Sequence, residues 1–366
     1  MNKTVTQALA DFGQSIWLDN LSRSLIESGK LQELVSSGVR GVTSNPTIFD
    51  KAISQTNDYD NKIKALAKAG KSSFEIYDDL TIADVREAAD IFRPVYDRSN
   101  RLDGYVSLEV NPKLAHSAQE TIAEAKRLHK NVGRPNLMLK VAATEAGLAA
   151  VEELLAEGLN VNATLIFSLG QYSRTAAAYI QGLKRLAVNN GDLSRVRSVA
   201  SVFVSRLDTA CDALLRDESA ALKGKAAVAN AALIYRQAIQ IFSGSEFQSL
   251  RSRGANIQRP LWASTGTKNP SYSEVKYVAE LIARDTVNTM PDKTLEAFLK
   301  NGQVKEALTK DAQWAVDIVS DLKKGGIDID VLCEKLLKEG IIQFENSFDS
   351  LLKSIEGKMN PQARSR

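Results

Sequence analysis

A chain of 366 residues, 44% hydrophobic and 25% charged, can bury a large core and lacks the composition of a disordered polymer. Its 47 Lys and Arg nearly balance 44 Asp and Glu, and no basic run is interleaved with aromatics, which argues against nucleic acid as a partner. Cys211 and Cys333 are too few for a disulfide framework, no window approaches about eighteen apolar residues, and the N-terminus lacks an apolar signal core. A cytoplasmic chain with no membrane partner is therefore expected.

In chain order, eight β-rich runs stand out: "SIWLDN" (15 to 20), "VRGVTSNP" (39 to 46), "GYVSLEV" (104 to 110), "NLMLKVAA" (136 to 143), "NVNATLIFS" (160 to 168), "RSVASVFVSR" (197 to 206), "RPLWAST" (259 to 265) and "DTVNTMP" (285 to 291). Helical patterns separate them. In "TIADVREAADIFRPVYD", Ile82, Val85, Ala89 and Phe92 fall on one face, and "LAHSAQETIAEAKRLHK" supplies another such face. Alternation of this kind marks a parallel sheet with crossover helices, and eight strands close a barrel. The expected fold is α/β, a (β/α)8 TIM barrel with additional N- and C-terminal helices, in a single domain. The barrel would span about 15 to 300, and a wholly helical extension over about 310 to 357 would cover one end or side of it. A doubly wound open sheet would give the same alternation, but no G-x-G-x-x-G follows an early strand and no phosphate-loop motif is present.

Strands of a parallel barrel are covered on both faces and should read as apolar runs, so each polar residue inside one needs a reason. Lys140 shares a face with Asn136, Met138 and Ala142, while Leu137, Leu139 and Val141 point the other way toward helices, which turns Lys140 into the barrel. The same parity pairs Asp19 with Trp17, Asn45 with Thr43, Glu109 with Ser107, Asn162 with Thr164, Ser201 with Phe203 and Ser264 with Trp262. Taken singly, each has a plain structural reading: a lysine at a strand end can snorkel to water, and Asp19 or Asn45 can cap a turn or helix. Their coincidence on one face, near the strand ends where barrel enzymes build active sites, favours chemistry. A buried lysine beside carboxylates can lose its proton and attack a carbonyl to form a Schiff base, with the carboxylates moving protons. His116 and His129 are the only histidines, expected on one outer helix at a spacing unsuited to joint ligation, so no metal site is expected.

Together "WLDNLSR", "GVTSNPTIF", "VSLEVNP", "NLMLKVAAT", "NVNATLIFS", "ASVFVSRLD", "RPLWASTGTKNP" and "DTVNTMP" resemble the transaldolase family, of bacterial type, among the class I Schiff-base aldolases. The resemblance covers about residues 15 to 291. It implies a barrel without cofactor acting on small-molecule sugar phosphates: transfer of a dihydroxyacetone unit from sedoheptulose 7-phosphate to glyceraldehyde 3-phosphate in the non-oxidative pentose phosphate pathway. It makes Lys140 the Schiff-base lysine, Asp19 the general acid and base at the cleaved bond, and Glu109 with Thr164 the pair acting through water. Asn45 and Asn162 would hold hydroxyls, and Ser201, Phe203, Arg206 and Ser264 would line the substrate. Many transaldolases carry Ala-Ser-Phe-Arg after the seventh strand. This chain reads "ASTGTK" there, leaving Lys268 as the nearest second cation for phosphate. An aldolase without obligatory transfer and a sugar-phosphate-binding barrel without turnover are the rival readings, and assembly into a homo-oligomer stays open.

Overall fold

The computed structural model describes residues 4 to 359, apart from the side chains of residues 217 and 218. Eight strands, β1 (Gln14–Leu18), β2 (Gly41–Thr43), β3 (Tyr105–Glu109), β4 (Leu137–Ala142), β5 (Val161–Ile166), β6 (Ser198–Phe203), β7 (Arg259–Ala263) and β8 (Thr286–Met290), close in sequence order into a barrel. Every neighbouring pair is parallel, β1 with β8 included. This is the expected fold.

The strands are shorter than the β-rich runs because helix caps take their ends. Asn45 accepts from the Ile48 amide at 3.0 Å and starts the helix Pro46–Ser54, and Thr144 and Ser168 likewise cap the helices after β4 and β5. Arg206, expected within a strand run, lies instead in the first turn of the helix Ser205–Asp212. The β5 run is also not regular: its register against β6 shifts between Ala163 and Ile166, with Leu165 at φ 58°. That is an uncommon backbone for a bulky residue, absorbed by the bulge.

Parity holds on β4. Leu137, Leu139 and Val141 are each 1% exposed and pack outward, while Lys140 faces the interior. Ile82, Val85, Ala89 and Phe92 are buried along the long helix Ser73–Arg98. At the N-terminal ends of the strands the interior is filled. The Trp17 ring lies over Gly41, where a β-carbon would come within 2.6 Å of it, so only glycine fits. Beside it Asp103 accepts from Ser15 Oγ at 2.7 Å and pairs with Arg259 at 3.1 Å. These side chains plug the barrel at this end, and the cavity that holds the inward-facing lysine opens at the other.

Residues 310 to 357 are not one helical stretch. The helices Gln313–Lys324 and Ile329–Met359 are separated at Gly325 and Gly326, the latter at φ 85°, a conformation that ends a helix at little cost for glycine. The longer, C-terminal helix lies over the barrel mouth. Ser347 hydrogen-bonds Thr47 at 2.8 Å, Asp349 pairs with Lys113 at 2.5 Å, and the Phe348 ring meets Tyr77 edge-on at 5.2 Å. Among the described residues no helix is long and apolar enough to cross a membrane.

Candidate active site

Glu109, Lys140 and Asn162 are register partners on three adjacent strands, and Ala142 pairs with Thr164 one step higher. Lys140 is 4% exposed. Its Nζ lies 3.1 Å from Glu109 Oε2 and donates to the Ser44 carbonyl at 3.1 Å. The Phe344 ring from the C-terminal helix faces the same nitrogen, 5.8 Å from ring centre. A buried ion pair contributes little net stability against an apolar pair of similar size, so stability is a poor reason for its presence. Burial pushes the Glu109 carboxyl above its ordinary 4.5, with the Lys140 charge holding it back.

Over this pair opens a cavity of about 310 Å³, lined by Asp19, Asn45, Lys140, Ser201, Phe203, Arg206, Ser264 and Lys268 from the sequence reading. Asp19, just past β1, is held by its amide to Met290 O at 2.8 Å and accepts from Thr43 Oγ1 at 2.7 Å. Burial pushes its carboxyl above 3.8, against the pull of Lys140 and the Thr43 hydroxyl. Arg206 stacks over Phe203 at 5.2 Å, and burial lowers its pKa while Glu109 and Asp19 oppose that. Ser264 sits at φ 55° and its hydroxyl meets Ser205 Oγ at 3.0 Å. Lys268 is exposed on a loop at the rim. Lysines 51, 140 and 268 with Arg206 outnumber Asp19 on the lining, so the cavity suits an anionic, polyhydroxylated molecule.

Three residues of the sequence reading are not on that lining. Asn162 is wholly buried below it, donating to Ser107 Oγ at 3.0 Å and accepting from Ser201 Oγ at 2.6 Å. Thr164 is also buried, its hydroxyl without a hydrogen-bond partner among the described residues. Glu109 borders a separate small, mostly apolar cavity that it shares with Leu165, Ile341 and Phe344. Asn45 uses its side-chain oxygen as a helix cap and still borders the cavity. The two histidines do not share a helix: His116 is in the turn before Ala118–Val132 and His129 near that helix's end. Helix formation waits for Ser117, which accepts from Glu120 N at 3.4 Å as its cap. Among the described residues no three His, Cys, Asp or Glu side chains cluster as metal ligands do.

The sequence reading missed several lining residues, Thr289, Lys51, Gln343 and Phe344 among them. Thr289, its hydroxyl 2.7 Å from Thr43 Oγ1, was within reach of the parity rule in "DTVNTMP". Lys51, Gln343 and Phe344 come from helices, where strand parity gives no signal.

The raised carboxyls predict a pH profile. A base with a raised pKa is already protonated at a pH where an ordinary carboxylate is ionised. The acid limb of kcat/KM should thus fall at a pH above the 3.8 to 4.5 of free carboxyls. An acid limb inside that range would remove both groups from the proton transfers.

These features define a class: parallel barrels that hold an amine between carboxylates at the C-terminal ends of their strands, the arrangement of lysine-dependent carbonyl chemistry. The family model described as Transaldolase/Fructose-6-phosphate aldolase matches residues 16–355, and the chain belongs to that family. It is 45% identical over 367 residues to Transaldolase 2 of Nostoc sp., 96% of each chain being covered. It is 47% identical over 358 residues to a transaldolase of Saccharopolyspora erythraea, covering 97% of each. A transaldolase of Mycobacterium marinum is 45% identical over 364 residues, 98% of each.

Proposed function

We propose that the chain is a Schiff-base transferase that moves a dihydroxyacetone unit between sugar phosphates, with Lys140 as nucleophile. The observation that carries this is an amine 4% exposed, 3.1 Å from Glu109, at the floor of a cation-rich cavity. Glu109 takes a proton from the Lys140 ammonium, and the amine attacks C2 of a ketose phosphate such as sedoheptulose 7-phosphate. Loss of water leaves an iminium. Asp19 then takes the proton of the C4 hydroxyl, the C3–C4 bond breaks, and its electron pair neutralises the iminium as an enamine while erythrose 4-phosphate departs. The enamine attacks glyceraldehyde 3-phosphate, Asp19 returns the proton, and hydrolysis frees fructose 6-phosphate. Thr164 and Glu109 would handle the water of imine formation and hydrolysis. Asn162 acts through Ser201, whose hydroxyl it holds toward the cavity. Cys211 and Cys333 are free and buried, which suits the reducing cytoplasm proposed for the reaction.

Borohydride trapping tests the reading. Reduction in the presence of fructose 6-phosphate should leave one dihydroxyacetone adduct on Lys140, and an adduct that persists in Lys140→Ala would sink the assignment. Arg206, half-buried at the side of the cavity, is the phosphate ligand, with Lys268 as the weaker outer cation. A hydrogen bond to a charged group contributes about 1.5–3 kcal/mol. Arg206→Ala should therefore raise KM by roughly 10- to 100-fold with a smaller change in kcat. An unchanged KM removes Arg206 from the phosphate site.

A further inference from the structure

Transfer succeeds over release only if the enamine on Lys140 meets an aldehyde before it takes a proton from water. The barrel supplies polar groups on the β3, β5 and β6 sides of this lysine, and none of them excludes water. The residue facing Lys140 Nζ from above is Phe344, 3% exposed, brought from the C-terminal helix with its ring centre 5.8 Å away. Phe344 borders both the substrate cavity and the small apolar cavity behind Glu109, so its ring is the partition between them.

The helix is held in a fixed seat. Gly340 brings it against Leu165 at the β5 bulge, where a β-carbon would meet Leu165 Cδ2 at 3.1 Å and Arg206 Nη1 at 3.7 Å. Cys333 Sγ meets the Phe167 carbonyl at 3.3 Å on one side of this seat, and Ser347 bonds Thr47 on the other. An aromatic ring clamped between these points offers no hydrogen bond to water and covers the nitrogen that becomes the iminium and then the enamine.

We propose that Phe344 shields the Lys140-bound enamine from water and thereby sets the partition between transfer to an aldehyde and release of free dihydroxyacetone. Release needs a proton on the enamine carbon, which regenerates the iminium, and then one water at C2, which expels the ketone and restores the amine. Hydrolysis at C2 also ends transfer, so the step that separates the two outcomes is the protonation, and that step draws on water at the enamine carbon that the ring keeps out. The inference rests on Lys140 as nucleophile, which the trapped adduct checks separately in each variant.

The test compares two rates from fructose 6-phosphate: dihydroxyacetone released without acceptor, and transfer to erythrose 4-phosphate. In Phe344→Ala the release-to-transfer ratio should rise by about tenfold, equivalent to about 1.4 kcal/mol between the two barriers. Phe344→Leu, which restores most of the bulk, should stay near the parent ratio. Should Phe344→Ala fail to fold, Phe344→Val leaves a smaller gap and should move the ratio the same way by less. Ile342→Ala, on the exposed side of the same helix, should leave the ratio unchanged. A ratio unmoved in the alanine and valine variants, or moved as far by leucine as by alanine, overturns the proposal. A ratio moved equally by Ile342→Ala also overturns it, since helix placement and not the ring would then be responsible. Loss of the Lys140 adduct in the parent enzyme would count against the nucleophile, a distinct failure.

Discussion

Lys140→Met, which keeps the bulk of the side chain and removes its amine, is expected to lower kcat by roughly ten-thousand-fold or more, the scale on which loss of a covalent nucleophile falls. The reason is chemical. Without an iminium, no electron sink accepts the pair from the breaking carbon-carbon bond, and Asp19 can take a hydroxyl proton without any cleavage following. Glu109 and the cavity's other cations, Arg206, Lys51 and Lys268, remain in the variant, so sugar phosphate should still bind. Steady-state and single-turnover kinetics with fructose 6-phosphate as donor make the measurement. A variant within about tenfold of the parent would move the nucleophile elsewhere, and Lys51 and Lys268 are the other amines on the cavity.

The same variant should show a pH-dependent loss of stability. Removing one member of a buried ion pair strands the other, at a cost of about 3–5 kcal/mol. The stranded group here is Glu109, 6% exposed, whose carboxyl burial already raises above 4.5 with the Lys140 charge as the main influence holding it down. Without that charge the folded-state pKa rises further above the unfolded one. A raised folded-state pKa gives stability that is fully present below the unfolded value and is lost as pH climbs through the folded value. Lys140→Met should therefore lie close to the parent near pH 4.5 and fall progressively below it toward pH 8. Glu109→Gln added to Lys140→Met should recover most of the loss at pH 8, because the amide carries no charge to desolvate. Denaturant unfolding at both pH values decides the matter, and a deficit that does not change with pH would mean that packing, not the stranded carboxylate, sets the cost.

The fold was legible because eight short β-rich runs alternating with amphipathic helices leave few topologies open, and right-handed parallel crossovers close them into a barrel. Lys140 was legible by the same means: a period of two carries Leu137, Leu139 and Val141 to the helices and leaves the lysine inside. Parity stops at the strand ends, however, and there the reading slipped. The Asn45 side chain is both the cap of Pro46–Ser54 and part of the cavity wall, so the structural and functional readings weighed for it are both occupied. Arg206 follows a strand that ends three residues earlier, because the chain turns into a helix there. Asn162 has the right parity yet lies beneath Ser201, since facing inward does not say how deep in the barrel a side chain ends.

By itself, then, the sequence determined the barrel, the inward-facing lysine and its carboxylate company, because these depend on patterns local to one strand and repeated around a closed sheet. Tertiary structure alone decided the rest. That the N-terminal end is plugged by Trp17 over Gly41 and by Asp103 with Arg259 depends on contacts between strands far apart in the chain. That Phe344, two hundred residues beyond Lys140, faces its amine depends on a helix whose own periodicity records only which side is buried. What that side is buried against is a long-range packing decision, and no local pattern in the chain encodes it.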